Sequence, residues 1–225
     1  MTTSIAENLK KVTSQLPKNT TLVAVSKTKS EDEIMQAYEA GQRIFGENKV
    51  QEMTQKWEQL PKDIQWHMIG HVQRNKVKYM APFVSLIHGV DSLKLLKEIN
   101  KQAAKHERII DCLLQVFIAK ESTKFGLDKE EVDEILTSSV VKDLKHIRIV
   151  GLMGMATFTE DETQIATEFQ SLKQLFDELC QRPNTQNFNP SILSMGMSSD
   201  YNIALKNGST MVRVGSAIFG KRNYN

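Results

Sequence analysis

The chain has 225 residues, of which 40% are hydrophobic and 25% are charged, and its 29 basic and 27 acidic residues give a formal net charge of +2. This balance is ordinary for a globular protein and argues against a dedicated nucleic-acid or membrane-surface binder. The two cysteines, Cys112 and Cys180, match no disulfide or zinc pattern, so we expect a reducing, cytoplasmic setting and no metal site.

The N-terminal segment predicts an amphipathic helix rather than a signal peptide, because Ile5, Leu9, Val12 and Leu16 recur at helical intervals. No apolar run is long enough to span a bilayer, so no membrane partner is expected. Eight short apolar runs predict strands at Leu22–Ser26, Arg43–Glu47, Gln65–Ile69, Val84–Val90, Cys112–Ile118, Ile147–Met155, Ile192–Met197 and Met211–Phe219.

Amphipathic segments separate these runs and predict helices. Capping boxes at Ser30–Glu33 and Thr159–Glu162, and the pair Asp128 and Glu131, mark three helix starts. The stretch 181–190 predicts a loop before the seventh strand.

The order of these elements limits the architecture. Strands that read as continuous apolar runs and alternate with helices indicate a parallel sheet, either open and doubly wound or closed into a barrel. Eight strand–helix repeats in a chain near the typical barrel length of roughly 250 residues favour closure. The prediction is one α/β domain over residues 1–225, a (β/α)8 TIM-type barrel with an extra N-terminal helix.

The end of the first predicted strand carries Lys27, directly after an apolar run. In such barrels the functional face lies at the carboxyl ends of the strands. A solvated lysine is one interpretation. The other is an amine that attacks an aldehyde to form a Schiff base, because partial desolvation by the preceding run favours the neutral form.

The ends of the seventh and eighth strands are rich in small polar residues. Ser198 and Ser199 follow one of them, and Gly215 and Ser216 follow the other. Barrel phosphate sites typically use these two loops, so the four residues predict a phosphate cup. Arg213 lies inside the eighth apolar run, where a charged side chain needs a specific partner.

Other positions at the strand ends offer weaker signals. Asn48 could hydrogen-bond a polar ring substituent, and His67 is interpreted as core packing rather than a ligand contact. A glycine in the seventh strand end predicts close approach of a ligand, and the glycines and methionines of Gly151–Met155 predict packing against a flat ligand. No role is predicted for His71 or Lys124.

A ligand that carries both an aldehyde and a phosphate satisfies the lysine and the phosphate cup together, and pyridoxal 5′-phosphate is such a ligand. The motifs AVSKTK, FGENKVQE, WHMIGHVQRNKVK, GLMGMAT, LSMGMSSD and VRVGSAIFG span nearly the whole chain. They resemble the YggS/PROSC family of pyridoxal phosphate homeostasis proteins, which are related to the N-terminal barrel of alanine racemase.

The resemblance implies a fold-type III barrel with pyridoxal 5′-phosphate held as a covalent aldimine on Lys27. It implies that Ser198 or Ser199, Gly215 and Ser216 hold the phosphate. It also implies that Arg213 faces the pyridine nitrogen, which weakens the ring as an electron sink.

The resemblance also bears on catalysis. In alanine racemase a tyrosine from a partner's second domain opposes the lysine, whereas this chain ends soon after its eighth strand. No tyrosine is obviously placed opposite Lys27 among Tyr38, Tyr79, Tyr201 and Tyr224.

We therefore expect binding, buffering and transient delivery of the cofactor to apoenzymes, by a monomer without catalytic residues. A weak amino-acid racemase and a cofactor-free Schiff-base aldolase that uses Glu47 or Lys49 are the alternatives.

Overall fold

The computed structural model describes residues 4–120 and 125–220, so Lys124 and Tyr224 lie outside the described residues. Its strands all run parallel and close into a barrel in chain order, with the eighth pairing with the first. The strands are β1 Thr21–Val25, β2 Ile44–Glu47, β3 Gln65–Met68, β4 Leu86–Val90, β5 Ile110–Gln115, β6 Ile147–Met153, β7 Phe188–Ser194 and β8 Met211–Val214. The predicted (β/α)8 barrel is confirmed.

Helices surround the barrel and follow the strands in the expected alternation. They are α1 Ile5–Gln15, α2 Glu31–Glu39, α3 Val50–Gln59, α4 Val77–Met80, α5 Leu93–Ala104, α6 Lys129–Thr137, α7 Ser139–Lys142, α8 Glu162–Cys180, α9 Tyr201–Lys206 and α10 Ser216–Phe219, with a short 3₁₀ turn at Arg74–Lys76 before α4. Within residues 4–120 and 125–220, no helix has the length and apolar character needed to cross a membrane.

Side-chain alternation divides the apolar residues into two cores. Outward-facing strand residues such as Ala24, Phe45 and Trp66 pack against the helices. Inward-facing residues, among them Val23, Leu86 and Met211, fill the barrel interior. Successive strand residues point to opposite faces, so every second residue of a strand points into the barrel. Each step of two residues along a strand therefore brings the next inward-facing side chain one layer closer to the carboxyl-end mouth.

The predicted helix starts are largely confirmed. The N-terminal segment forms α1 with Leu9 and Val12 buried, and both Ser30 and Asp128 form complete capping boxes. The capping box predicted at Thr159–Glu162 is wrong. Asp161 caps α8 instead, and its side chain accepts from the backbone N–H groups of Thr163 and Gln164.

Several predicted strand limits also need correction. Strand β1 ends at Val25, so Lys27 lies two residues beyond the strand. Strand β7 begins at Phe188, inside the stretch predicted as loop. The eighth run ends as a strand at Val214, and the residues from Ser216 to Phe219 form α10, because a short apolar run does not by itself distinguish strand from helix.

Candidate functional site

A cavity of about 670 Å³ opens at the carboxyl ends of the barrel strands. Every residue predicted from the sequence as a binding residue lines it: Lys27, Asn48, Ser198, Ser199, Arg213, Gly215 and Ser216. The structure thus brings together residues that are as much as 189 positions apart, from Lys27 to Ser216. Its walls also include Met155, which the sequence predicted to pack against a flat ligand, and residues that sequence reasoning did not assign: Val25, Lys29, Ile69, Gly70, His71, Gln115, Phe125, Phe158, Met197 and Gly220.

Lys27 is carried by a tight turn rather than by the strand itself. The backbone N–H of Ser26 still pairs with the carbonyl of Gly46 at 3.0 Å, and that of Lys29 donates to the carbonyl of Ser26 at 3.0 Å. Lys27 and Thr28 are therefore the central residues of a β-turn. The half-buried Lys27 follows the alternation of Val23 and Val25 toward the barrel interior.

The two loops predicted to hold a phosphate are joined directly. The backbone N–H of Gly215 donates to Ser198 Oγ at 3.1 Å, and the N–H of Met197 donates to the carboxylate of Asp200 at 2.5 Å. Asp200 therefore organises the loop after β7 rather than capping α9 through its side chain. Ser198 and Ser199 of one loop and Gly215 and Ser216 of the other all line the cavity.

Arg213 is almost fully buried and its donors are directed at backbone and hydroxyl oxygens. One guanidinium nitrogen donates to the carbonyl and to Oγ of Ser194, at 2.9 and 2.6 Å, and another donates to the carbonyl of Gly154 at 3.1 Å. Burial lowers the pKa of Arg213 to about 10, and the charge of Asp200 acts in the opposite direction. The guanidinium is still charged at neutral pH, at the base of the cavity.

Two histidines continue the contacts of Arg213 across the barrel interior. His88 Nδ1 lies 3.0 Å from Ser194 Oγ, and His88 Nε2 lies 3.1 Å from His67 Nδ1. A guanidinium can only donate, so Ser194 accepts from Arg213, and the direction of the contacts between Ser194 and His88 and between His88 and His67 follows the tautomers of the two imidazoles.

Burial keeps both imidazoles neutral. It lowers the pKa of His67 to about 3, and it lowers the pKa of His88 well below the ordinary value, with the charge of Arg213 adding to the effect. His67 is part of the packed interior and does not line the cavity, as the sequence predicted. Sequence reasoning missed Ser194 and His88. Side-chain alternation could have found both, because each lies two positions beyond an inward-facing residue of its own strand, Ser194 on β7 and His88 on β4.

Two glycines serve packing within the fold, contrary to the predictions made for them. A Cβ on Gly151 would lie 1.8 Å from the carbonyl oxygen of Ile192. The missing side chain of Gly151 therefore makes room for strand β7 and not for a flat ligand. A Cβ on Gly196 would lie 2.6 Å from Cβ of Ala204. The glycine of the seventh strand end therefore allows α9 to pack closely against it. Met155 does line the cavity, whereas Gly154 contributes its carbonyl to Arg213.

The β2 and β3 ends form the opposite wall of the cavity. Asn48 lines it beside Gly70, where an added Cβ would approach the Asn48 carbonyl oxygen to 2.4 Å. His71, to which the sequence assigned no role, also lines the cavity, and its Nδ1 lies 3.1 Å from the carboxylate of Asp91. Its ring lies 5.7 Å from that of Phe125.

The fold and the cavity together indicate a class of protein. The barrel is closed and parallel, and its mouth carries a lysine, a buried arginine and two loops that contain serine and glycine. The family model for the alanine racemase N-terminal domain matches residues 2–223, and the chain belongs to this family. An alanine racemase from Clostridium difficile shares the fold with a TM-score of 0.77 at 14% identity. The match covers 99% of this chain and 58% of that one.

More similar relatives narrow the class. A pyridoxal phosphate homeostasis protein of Aquifex aeolicus is 37% identical over 206 residues, which cover 90% of this chain and 87% of the relative. The human protein of the same name is 40% identical, over 90% of this chain and 77% of its own length. The chain therefore belongs with the pyridoxal phosphate homeostasis proteins.

A solved structure supports the same placement. PipY of Synechococcus elongatus, with PLP bound, superimposes with a TM-score of 0.86 at 35% identity and covers 96% of this chain and 100% of its own. The names of these relatives describe cofactor homeostasis and not a reaction.

Proposed function

We propose that this protein binds pyridoxal 5′-phosphate in the carboxyl-end cavity and takes part in its cellular homeostasis. The observation that carries the proposal is that one cavity is lined by an amine-bearing turn, two hydroxyl- and N–H-bearing loops and a buried guanidinium. These groups match the aldehyde, the phosphate and the ring nitrogen of that cofactor. The bound cofactor of PipY is consistent with the same use of the cavity.

Lys27 is the residue assigned to the aldehyde. Its neutral amine adds to the aldehyde carbon and releases water, which leaves a carbon–nitrogen double bond and a covalent aldimine. The reaction is reversible by water or by another amine. Reversible attachment suits a protein that binds, buffers and hands on the cofactor.

The phosphate is assigned to Ser198, Ser199, Gly215 and Ser216. Hydroxyl and N–H donors to a charged oxygen make the stronger class of hydrogen bond. Asn48, on the far wall, is assigned to a polar substituent of the ring. These contacts supply affinity that does not depend on the covalent bond.

Arg213 is assigned to the pyridine nitrogen. Pyridoxal phosphate supplies an electron sink to bound amines, and a protonated ring nitrogen strengthens it. Because Arg213 is charged and can only donate, it disfavours a proton on that nitrogen. The ring is then a weak sink, which favours storage over turnover of an amino acid.

The aldolase alternative relies on an acid or base at the strand ends beside Lys27. Glu47 and Lys49, the candidates in the sequence, are not among the residues that line the cavity, and Glu47 points outward from the barrel.

We propose in addition that the chain acts as a single barrel domain and a monomer in the cytoplasm. Apoenzymes that need the cofactor are its transient partners.

Replacing Lys27 with alanine tests the proposed function. We expect the wild-type protein with added pyridoxal 5′-phosphate to show the visible absorption band of an aldimine, and Lys27→Ala to lack it. Affinity should fall about 100-fold, which corresponds to ~2.7 kcal/mol. Borohydride reduction followed by peptide mass spectrometry should find the label on Lys27 in the wild type only.

Lys29→Ala is the matched control. Lys29 also lines the cavity, but its amine donates to Glu33 at 2.9 Å and to the carbonyl of Phe219 at 3.0 Å. Its variant should keep the band. A band that persists in Lys27→Ala, or is absent from the wild type, would show that the proposed attachment is wrong.

Ser198→Ala tests the phosphate assignment separately. Loss of one hydrogen bond to a charged group should weaken pyridoxal 5′-phosphate binding about 10-fold, or ~1.4 kcal/mol. Binding of pyridoxal, which has no phosphate, should not change. Ser191→Ala, an exposed serine on β7, is the control and should bind both ligands normally. Equal losses for both ligands in Ser198→Ala would contradict the assignment.

A further inference from the structure

A largely buried polar cluster lies behind the turn that carries Lys27, on the side away from the cavity. It consists of Ser26, Glu47, Glu52 and Lys56, from the ends of β1 and β2 and from α3. None of the four lines the cavity. A direct role in binding a ligand is therefore not available to them.

Lys56 is the centre of this cluster. It is almost fully buried, and its ammonium group donates to the Ser26 carbonyl at 2.8 Å, to Glu47 Oε1 at 2.7 Å and to Glu52 Oε1 at 2.7 Å. These three bonds use all the donors of an ammonium group. The orientation of the amine is thereby fixed relative to β1, β2 and α3 at once.

The cluster binds the backbone on both sides of Lys27. The Ser26 carbonyl, held by Lys56, belongs to the peptide unit before Lys27. The N–H of Thr28, in the peptide unit after it, donates to Glu52 Oε1 at 2.6 Å. Ser26 Oγ also donates to Glu47 Oε1 at 2.6 Å. Both peptide groups that define the direction of the Lys27 side chain are therefore fixed by the cluster.

The turn needs such a restraint because one of its central residues is strained. Thr28 has φ of 64°, in the left-handed region that a β-branched residue disfavours. Glycine is the usual residue at this position of the turn. A strained backbone persists only when its surroundings over-determine it, and strain of this kind collects at functional sites.

Stability alone does not explain the cluster. Burial of a charge group is costly, and hydrophobic residues of similar volume often stabilise a fold as well or better. Burial raises the pKa of Glu47 in spite of Lys56, and Glu47 Oε2 is one of two buried side-chain atoms without a hydrogen-bond partner in the described part of the chain. Burial of these charges costs free energy of folding, and yet the contacts of the cluster converge on the Lys27 turn.

We propose that Glu47, Glu52 and Lys56 are positioning residues, which hold the strained turn so that the Lys27 amine meets the aldehyde at the angle needed for addition. The inference rests on the proposed function of Lys27 and deepens it. Glu52 is the decisive member, because it alone accepts from the N–H of the strained Thr28. Small misplacements of a reacting group cause large losses in reactivity.

The experiment compares two ligands on the full chain. Pyridoxal 5′-phosphate can bond to Lys27, whereas pyridoxine 5′-phosphate has an alcohol in place of the aldehyde and cannot. We expect Glu52→Ala to weaken binding of the aldehyde about 10-fold while binding of the alcohol stays within about 2-fold of wild type. Glu52→Gln, which keeps an acceptor oxygen, should restore most of the loss.

A second substitution tests the strain. Adding Thr28→Gly to Glu52→Ala should recover most of the aldehyde affinity, because glycine adopts a positive φ without the restraint. Glu52→Asp keeps the charge beside Lys56 but shortens the reach to Thr28, so it should show a smaller loss in the same direction. Glu58→Ala, an exposed change on the same helix, should bind both ligands as wild type does.

Each result decides the inference. Equal losses for both ligands in Glu52→Ala, no loss for either, or failure of Thr28→Gly to restore binding would overturn it, while the Lys27→Ala result stands. Absence of an aldimine from the wild-type protein would overturn the proposed function, and this inference with it.

Discussion

Replacing Gly151 with alanine should lower the free energy of unfolding by about 4 kcal/mol or more, an effect at the upper end of single substitutions. Gly151 has φ of 150°, and an added Cβ would lie 1.8 Å from the carbonyl oxygen of Ile192 on β7. Backbone atoms are not displaced as easily as the end of a side chain. The register between β6 and β7 also shifts between Ile149 and Gly151, so the close approach is built into the strand pairing.

Urea unfolding measures this effect, and Gly41→Ala is its control. Gly41 also has a positive φ, of 101°, but an added Cβ meets nothing within 4 Å. It should cost only the conformational penalty, about 1–2 kcal/mol. A Gly151→Ala protein as stable as Gly41→Ala would contradict the steric argument.

The barrel could be predicted because its determinants are local and repeated. Eight apolar runs, each followed by an amphipathic segment, leave few architectures, and all eight runs overlap strands of the closed sheet. The errors occur where the sequence signal is ambiguous. The segment SAIF is as apolar as a strand but forms α10, and β7 begins at Phe188, within a stretch rich in Asn and Pro that resembles a loop.

The residues of the site could be predicted because barrel geometry sends every strand end to one face. That rule gathered Lys27, Arg213 and the two loops predicted to hold a phosphate without any long-range information. It does not reveal which long-range partners fix them. The Ser26 to Lys56 contact and the Arg213 to His67 chain join different strands and helices, and such pairings become visible only in three dimensions.

The buried histidines should make the fold sensitive to acid. Burial lowers the pKa of His67 to about 3 and that of His88 well below its ordinary value of 6.5. Between pH 6.5 and that lower range, the unfolded chain takes up a proton on each histidine and the folded chain does not. Stability from both residues is therefore fully present above about pH 6.5 and is lost as the pH falls.

The expected slope follows from proton counting. Each proton bound only by the unfolded chain contributes about 1.4 kcal/mol per pH unit, so the two histidines together contribute ~2.7 kcal/mol per unit once the pH is well below 6.5. Urea unfolding between pH 6.5 and about 5 measures this contribution, because ordinary carboxylates titrate mainly below that window, and the comparison with His67→Asn removes what Glu47, whose pKa is raised by burial, adds to both proteins. His67→Asn should reduce the histidine contribution by about half. The amide group of asparagine can hydrogen-bond His88 as donor or as acceptor, so the contact between the two side chains is preserved.

His106→Asn is the control, because His106 is exposed just beyond the end of α5. It should leave the slope at its wild-type value, and Arg213 should keep its contacts in both variants. If His67→Asn has the same slope as wild type, the histidines do not carry the pH dependence. In that case the interior tolerates a charged imidazole beside Arg213, and burial does not hold both rings neutral.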